Sequence, residues 1–186
     1  MGKRLSEMTL EELWLLFPIY LTAHQTCWKD WYAEEEAEIR NILTQAKQIS
    51  HIGSTAVSTI WAKPIIDILV EVPSTCKLTD YMSLLTAHGY ICMSQSQNRM
   101  SFNKGYTENG FAERVFHLHL RYIGDHDELY FRDYLIDHPD TAKAYEAMKL
   151  LLWKKHEHDR DAYTKEKTTF VYKYTQEAKR IYQNRY

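Results

Sequence analysis

Two features of residues 50–72 carry residue types that could bind a phosphorylated ligand. The first is a polar turn, Gly53, Ser54 and Thr55, which follows a short apolar run. Glycine allows close approach of the backbone, and free amide groups at such a turn, if a helix starts there, suit phosphate oxygens. The second is Asp67, an acid that stands amid Ile and Val in the strand-like run IIDILVEV. Because burial of an unpaired carboxylate is costly, this acid is expected to be anchored or used, and the two features together predict a nucleotide and metal site.

A third candidate lies in the run 115–122, where His117 and His119 alternate with apolar residues. Side chains two positions apart on a strand share one face, so both imidazoles point the same way. This pattern is compatible with metal binding, proton transfer or phosphate contact, and the alternative is a solvated polar face. Imidazole is a better ligand for zinc, manganese or nickel than for magnesium.

The strings HIGSTAV and AKPIIDILVEV resemble the signature of the GrpB family of predicted nucleotidyltransferases, part of the DNA polymerase beta-like nucleotidyltransferase superfamily. The resemblance covers most of the chain and continues at FHLHL, at FRDYLIDHP and at four upstream residues, Trp31, Glu35, Ile39 and Leu43. It implies a Gly-Ser helix start that holds nucleotide phosphates, and acids on the next strand that hold a divalent metal. It also implies that the strand of His117 and His119 lies beside the strand of Asp67, where the superfamily often places a third acid.

Two parts of the chain depart from the pattern that the resemblance implies. Ser58 and Thr59 stand where the family usually has Pro-Gly, which predicts a differently shaped loop. Leu69 stands where the superfamily has a second acid, two residues after Asp67. The next acid on that face is Glu71, roughly 13 Å further along the strand at about 3.3 Å per residue, too far to share one metal directly.

The residues and the resemblance together predict a site with three kinds of role. Asp67 and His119 are assigned to catalysis. The metal ligands are expected among Asp67, His117, His119 and Glu71, with Mg²⁺ or Mn²⁺ as the cofactor. Phosphates of a nucleoside triphosphate are expected to contact Gly53, Ser54, Thr55, Lys63 and Arg121.

Three functions are compatible with this set. The first is metal-dependent transfer of a nucleotidyl group from a nucleoside triphosphate to an acceptor. The second is a catalytically inactive nucleotide-binding module of the same fold, which Leu69 favours because the two-carboxylate clamp is incomplete. A metal-dependent phosphohydrolase that uses the His117 and His119 face is a third, although no second acid cluster accompanies it.

Composition narrows the class of protein. A net charge of −2 and a pI near 6.5 argue against nucleic-acid binding through bulk charge, although they are compatible with a local basic patch. The partner expected from the turn, from Asp67 and from the resemblance is a nucleotide. No apolar run approaches the roughly 20 residues of a membrane span, and the first residues contain acids where a signal peptide is apolar. A soluble, cytoplasmic protein is expected. The three cysteines show no CxxC pair, so neither a disulfide framework nor a zinc knuckle is predicted.

The elements that position these residues are predicted from periodicity and capping signals, and they indicate an α+β, nucleotidyltransferase-like fold. One domain over 1–186 is expected, with a sheet-containing core over about 1–125 and a helical part over about 126–186. Strands are predicted at 49–52, 64–72, 90–94, 100–104 and 114–122, with an edge strand or extended arm at 17–24. Helices are predicted at 9–16, 26–48, 79–88, 127–137, from 139 onward, and at 160–183.

Overall fold

A computed structural model describes residues 3–183 and 185–186, and it confirms the α+β fold class. The strands are β1 (Gln48–Ile52), β2 (Ile66–Val72), β3 (Ile91–Gln95), β4 (Arg99–Thr107) and β5 (Gly110–Tyr122). The α-helices are α1 (Leu10–Leu16), α2 (Cys27–Ile42), α3 (Met82–Ala87), α4 (Asp127–Asp137), α5 (Pro139–Lys155) and α6 (Arg160–Ile181). Single 3₁₀ turns occur at Leu5–Glu7, Ser54–Ala56 and Leu78–Tyr81.

The five strands form one mixed sheet in the order β1-β2-β5-β4-β3. Only the central pair, β2 and β5, is parallel, and its register sets Asp67 opposite His117 and Leu69 opposite His119. The prediction that the strand of Asp67 lies beside the strand of His117 and His119 is therefore confirmed. Strand alternation then places Asp67 and both histidines on one face of the sheet.

The two faces of the sheet have different partners. The first face carries the largest apolar core, in which Ile66, Ile68 and Val70 of β2 pack with Leu118 of β5 and with Trp28 of α2. The second face is covered by the C-terminal helices α4, α5 and α6. The functional candidates of β2 and β5 point to this second face, so the helical part of the chain supplies the opposite wall.

Several local predictions are confirmed by hydrogen bonds or by observed boundaries. Thr9 and Glu12 form the predicted capping box at α1, in which the Thr9 backbone N–H donates to the Glu12 carboxylate at 2.8 Å. Helix α4 spans the predicted range, and α5 begins at Pro139 as expected. Among the described residues, no helix contains an apolar stretch long enough to cross a membrane.

Other predicted boundaries were wrong. Residues 17–24 form no edge strand, and only Thr22 makes an isolated bridge, to Ala62. Helix α2 ends at Ile42 rather than near residue 48, because Leu43 leaves the helical conformation and buries its side chain in the core. The helix expected at 79–88 begins as a 3₁₀ turn and becomes α-helical only at Met82.

Candidate functional site

A cleft of about 540 Å³ lies between the second face of the sheet and helices α4, α5 and α6. Its sheet side contains Gly53, Ser54 and Thr55 of the turn, Asp67 of β2, and the two histidines of β5. Its helical side is formed by residues far away in sequence, among them Tyr145, Lys149, Tyr163, Lys167 and Tyr172. The polar turn and Asp67, both singled out from the sequence, therefore line the same cavity.

Gly53 is the residue that brings the turn against the carboxylate. Its φ of 71° with ψ of −173° is a conformation that residues with a side chain rarely adopt. A Cβ atom at this position would lie 2.5 Å from Oδ2 of Asp67, closer than any real contact. Only glycine therefore permits the backbone to approach Asp67 so closely. The turn that follows is a single 3₁₀ turn over Ser54–Ala56, so its amides act without a helix dipole.

Asp67 is held between the two imidazoles of β5. Its Oδ1 atom lies 3.4 Å from Nδ1 of His117 and 3.4 Å from Nε2 of His119. Burial alone would raise the pKa of Asp67, but the facing imidazoles outweigh burial and hold that pKa well below its ordinary value. Asp67 is therefore an anion at neutral pH, and its side chain remains 29% exposed to the cleft.

Tyr106, a residue that sequence reasoning missed, fixes the orientation of His117. Its hydroxyl lies 2.8 Å from Nε2 of His117, while the ring packs against Phe17 and Phe111. Burial lowers the pKa of His117, so the ring is neutral and carries one N–H. The arrangement in which Tyr106 donates to Nε2 leaves that N–H on Nδ1, directed to Asp67. Both ring nitrogens of His117 then have partners within the protein.

His51 and Thr55 stabilise the turn through internal hydrogen bonds. Nε2 of His51 lies 2.9 Å from the Thr55 hydroxyl, which donates to the backbone carbonyl of Ile65 at 3.2 Å. The imidazole stacks on Tyr32, and burial lowers the pKa of His51 to about 4, so it stays neutral. The Thr55 hydroxyl is thus occupied by internal hydrogen bonds, and its contribution to a ligand is limited to its backbone.

Three lysines line one side of the cleft. Nζ of Lys149 donates to the Ser54 hydroxyl at 3.0 Å and also to the Trp61 carbonyl, whereas Lys63 and Lys167 flank the ring of Tyr163. Burial lowers the pKa of Lys149 to about 7 and that of Lys167 to about 8. Burial, followed by the neighbouring cations, lowers the pKa of Lys63 well below its ordinary value. Of these lysines, the sequence analysis identified only Lys63.

The structure does not bring Glu71 or Arg121 into the cleft. Both side chains are buried near the far end of β2, where Glu71 accepts hydrogen bonds from the Gly124 backbone and from His126, each at 2.9 Å. Arg121 donates to Glu128 at 2.9 Å, so a carboxylate already balances its charge. The predicted metal role of Glu71 and phosphate role of Arg121 therefore find no geometric support, because each residue lies too far along its strand.

Leu69 occupies the position of the missing second acid. It is fully buried and packs with Ile52 and with Leu129 of α4. Among residues 3–183 and 185–186, no group of three or more His, Cys, Asp or Glu side chains is placed to hold a metal ion. Of the carboxylates that line the cleft, Asp127 pairs with Lys179 and Glu128 with Arg121, so Asp67 is the one that lies beside the turn, and it is not part of a preformed cage of ligands.

Comparison of the sequence with known proteins gives concordant matches. The family model described as GrpB protein matches residues 18–177. The chain is 36% identical over 161 residues to the glutamate-rich protein GrpB of Alkalihalophilus pseudofirmus, a match that spans 82% of this chain and 91% of that protein. It is 37% identical over 148 residues to a UPF0157 protein of Pseudomonas aeruginosa, spanning 77% of this chain and 61% of that protein.

Two solved structures resemble the fold. The crystal structure of the conserved protein GrpB from Enterococcus faecalis matches with a TM-score of 0.77 and 30% identity, over 88% of this chain and 99% of that one. The Cid1 poly(U) polymerase in its MgGTP-bound form matches with a TM-score of 0.50 and 12% identity, over 70% of this chain and 42% of that one. At this identity, the second match shows a shared nucleotidyltransferase-like fold alone.

Proposed function

The chain belongs to the GrpB protein family, and from that premise we propose that it binds a nucleoside triphosphate in the cleft and transfers the nucleotidyl group to an acceptor hydroxyl. The observation that carries this proposal is the contact between Gly53 and Asp67, where a Cβ atom would meet the carboxylate at 2.5 Å. A turn suited to phosphates and an ionised acid therefore stand side by side. The shared fold with a poly(U) polymerase that was solved with MgGTP supports the same function.

The phosphates bind where the cleft offers donors and positive charge. Gly53 lets the backbone approach a phosphate oxygen, and Ser54 adds a hydroxyl that is held by Lys149 at 3.0 Å. Lys63 and Lys149 lie in the same cleft and can offset the negative charge. The partly buried setting strengthens these interactions relative to water.

Asp67 fits a divalent cation that arrives with the triphosphate. Magnesium is commonly held by one or two carboxylates together with substrate phosphates, rather than by an all-protein cage. The Asp67 carboxylate, which is ionised, partly exposed and in contact with two imidazoles, matches that requirement. Mg²⁺ or Mn²⁺ bound through Asp67 would supply charge neutralisation at the α-phosphate.

The two histidines of β5 have different roles in the proposed reaction. His117 has both nitrogens engaged, so it orients Asp67. His119 contacts Asp67 through Nε2 at 3.4 Å, and we assign it as the base that accepts the proton of the acceptor hydroxyl. The hydroxyl oxygen then forms a bond with the α-phosphorus, and the bond to the leaving pyrophosphate breaks.

A catalytically inactive nucleotide-binding module is the second candidate. The observation that favours it is Leu69, which packs against Leu129 of α4 and leaves Asp67 without a second acid beside it on β2. Such a protein would bind a nucleotide through the turn and the lysines without any need for a divalent cation. It would release no pyrophosphate.

Substitution of Asp67 by Asn separates the two candidates. The experiment measures pyrophosphate release and thermal stabilisation with each of the four ribonucleoside triphosphates, in the presence and absence of Mg²⁺ or Mn²⁺. For a transferase, we expect cation-dependent pyrophosphate release that falls at least 100-fold in Asp67→Asn, because the charge at the reacting phosphate is lost.

The matched control is Asp80→Asn, since Asp80 is exposed and does not line the cleft. This variant should behave as the unmodified protein. Nucleotide binding that needs neither cation nor Asp67, with no pyrophosphate released, would replace the transferase by the inactive module. Unchanged release by Asp67→Asn would remove the proposed role of Asp67.

A further inference from the structure

Two lysines and a tyrosine form a distinct group at one end of the cleft. Tyr163 and Lys167 lie four residues apart on α6 and therefore share one helix face. Nζ of Lys167 lies 4.3 Å from the centre of the Tyr163 ring, and Nζ of Lys63 lies 5.2 Å from it. All three residues line the cleft. Two amines are thus concentrated around one aromatic ring.

Neither lysine of this group has an acidic partner. Among residues 3–183 and 185–186, no carboxylate lies within 4.0 Å of the Lys63 or Lys167 ammonium group. Other lysines of the chain do pair, as Lys155 does with Glu166 at 2.7 Å. Acids outnumber bases here, 25 to 23, so a shortage of carboxylates does not explain the difference. Two amines that face the same cleft with no carboxylate in direct contact indicate that an anion completes this part of the cleft.

The Tyr163 hydroxyl is a second, independent sign of a missing partner. The residue is only 1% exposed, and within the part of the chain that the structure describes its hydroxyl makes no hydrogen bond. A buried O–H without an acceptor is destabilising, so such groups usually have a role. An anionic oxygen that reaches this hydroxyl would accept its hydrogen bond.

We propose that Lys63, Tyr163 and Lys167 form a subsite for the terminal phosphates of a polyphosphate chain whose inner phosphate lies on the turn of Gly53 and Ser54. Lys149 connects the turn with this subsite, because its Nζ donates to the Ser54 hydroxyl and because it interacts electrostatically with Lys167. The ligand class is then a nucleoside triphosphate or diphosphate rather than a monophosphate. This inference rests on the proposed function and adds which phosphates the protein requires.

Calorimetric titration with a phosphate series tests the subsite. The ligands are inorganic tripolyphosphate and the mono-, di- and triphosphates of adenosine, guanosine, cytidine and uridine, each with Mg²⁺. We expect at least one triphosphate to bind tenfold or more tightly than its monophosphate. Lys167→Met should lower triphosphate and tripolyphosphate affinity about tenfold and leave monophosphate affinity unchanged. Lys165→Met is the matched control, because Lys165 is exposed on the same helix and does not line the cleft.

Tyr163→Phe adds a variant that keeps the ring and removes the unpartnered hydroxyl. It should lower triphosphate affinity without lowering the melting temperature of the free protein, a combination that a purely structural tyrosine would not give. Equal affinity for mono- and triphosphates, or an equal loss of both in Lys167→Met, would overturn the subsite and leave the nucleotidyl transfer standing. Lys167-dependent binding of tripolyphosphate without binding of any nucleotide would keep the subsite and remove the proposed function. Binding of none of these ligands would remove both.

Discussion

At the scale of single residues, the site depends on how closely Gly53 approaches Asp67. The backbone of Gly53 lies in a region that is essentially restricted to glycine, and a Cβ atom would sit 2.5 Å from the carboxylate. Adding a methyl group at this position therefore raises the free energy of the folded state for two separate reasons. The first belongs to the backbone and the second to the contact with Asp67.

Gly53→Ala is therefore expected to lower the free energy of unfolding by about 2–4 kcal/mol, as measured by urea denaturation. In a Gly53→Ala, Asp67→Ala double variant the steric part is relieved, so the two effects should be non-additive by about 1–2 kcal/mol. Gly89→Ala is the control, because Gly89 also has a positive φ but nothing within 4 Å of its Cβ position. Strict additivity of the two cleft substitutions would contradict the close contact.

At the scale of secondary-structure elements, the packing of helix α4 on strand β2 explains why β2 presents one acid, Asp67, to the cleft. Leu69 lies two residues after Asp67 on the same strand face, yet it is covered by Leu129 of α4 and contacts Ile52. The cleft is open at Asp67 and closed at Leu69. The second acid position is thus part of the apolar core between the sheet and α4.

Leu69→Asp is accordingly expected to destabilise the protein by about 3–5 kcal/mol at neutral pH, because it buries an uncompensated charge. We expect no gain in pyrophosphate release from this variant. Leu69→Asn introduces a side chain of nearly the same shape as Asp but without the charge. This variant should be destabilised less than Leu69→Asp in the same urea experiment. A stable Leu69→Asp protein with increased release would show that position 69 reaches the cleft after all.

The sequence predicted those parts of the site that depend on local patterns. The turn at Gly53, the acid Asp67 on β2 and the shared face of His117 and His119 all follow from residue type and strand alternation. Lys149, Tyr163 and Lys167 could not be found in this way, because they are about 95 to 114 residues away from Ser54 and Gly53 and reach the cleft only through the packing of α5 and α6 with α4. Their spacing on a helix is equally typical of a solvated or packed face. Glu71 lies on the predicted face, but its distance along β2 puts it with His126 instead.

At the scale of the whole molecule, net charge and local charge have opposite signs. The chain carries a net charge of −2, and on its surface acids and bases pair, as in the contacts of Lys3 with Glu12 and of Lys155 with Glu166. Inside the cleft, the three lysines have no such partners among the described residues. The positive potential is therefore concentrated where a polyanion would bind, which an average over the sequence conceals.

This distribution predicts that triphosphate binding takes up protons. Burial lowers the pKa of Lys149 to about 7 and of Lys167 to about 8, so at pH 8.5 both amines are largely neutral in the free protein. A bound polyanion favours the charged amines and raises both pKa values, so protons enter with the ligand. Between pH 7 and 10 the affinity should fall as pH rises, because each added pH unit makes that uptake less favourable.

Calorimetry with inorganic tripolyphosphate at pH 8.5, in buffers that differ in ionisation enthalpy, measures the uptake directly. We expect about one to two protons per ligand, and a smaller number in Lys167→Met, because one of the titrating amines is gone. Lys165→Met, which changes an exposed lysine on the same helix, should take up the same number as the unmodified protein. Binding heats that are independent of the buffer would mean that the lysines are already charged before the ligand arrives, and that the cleft holds its positive potential without help from a bound anion.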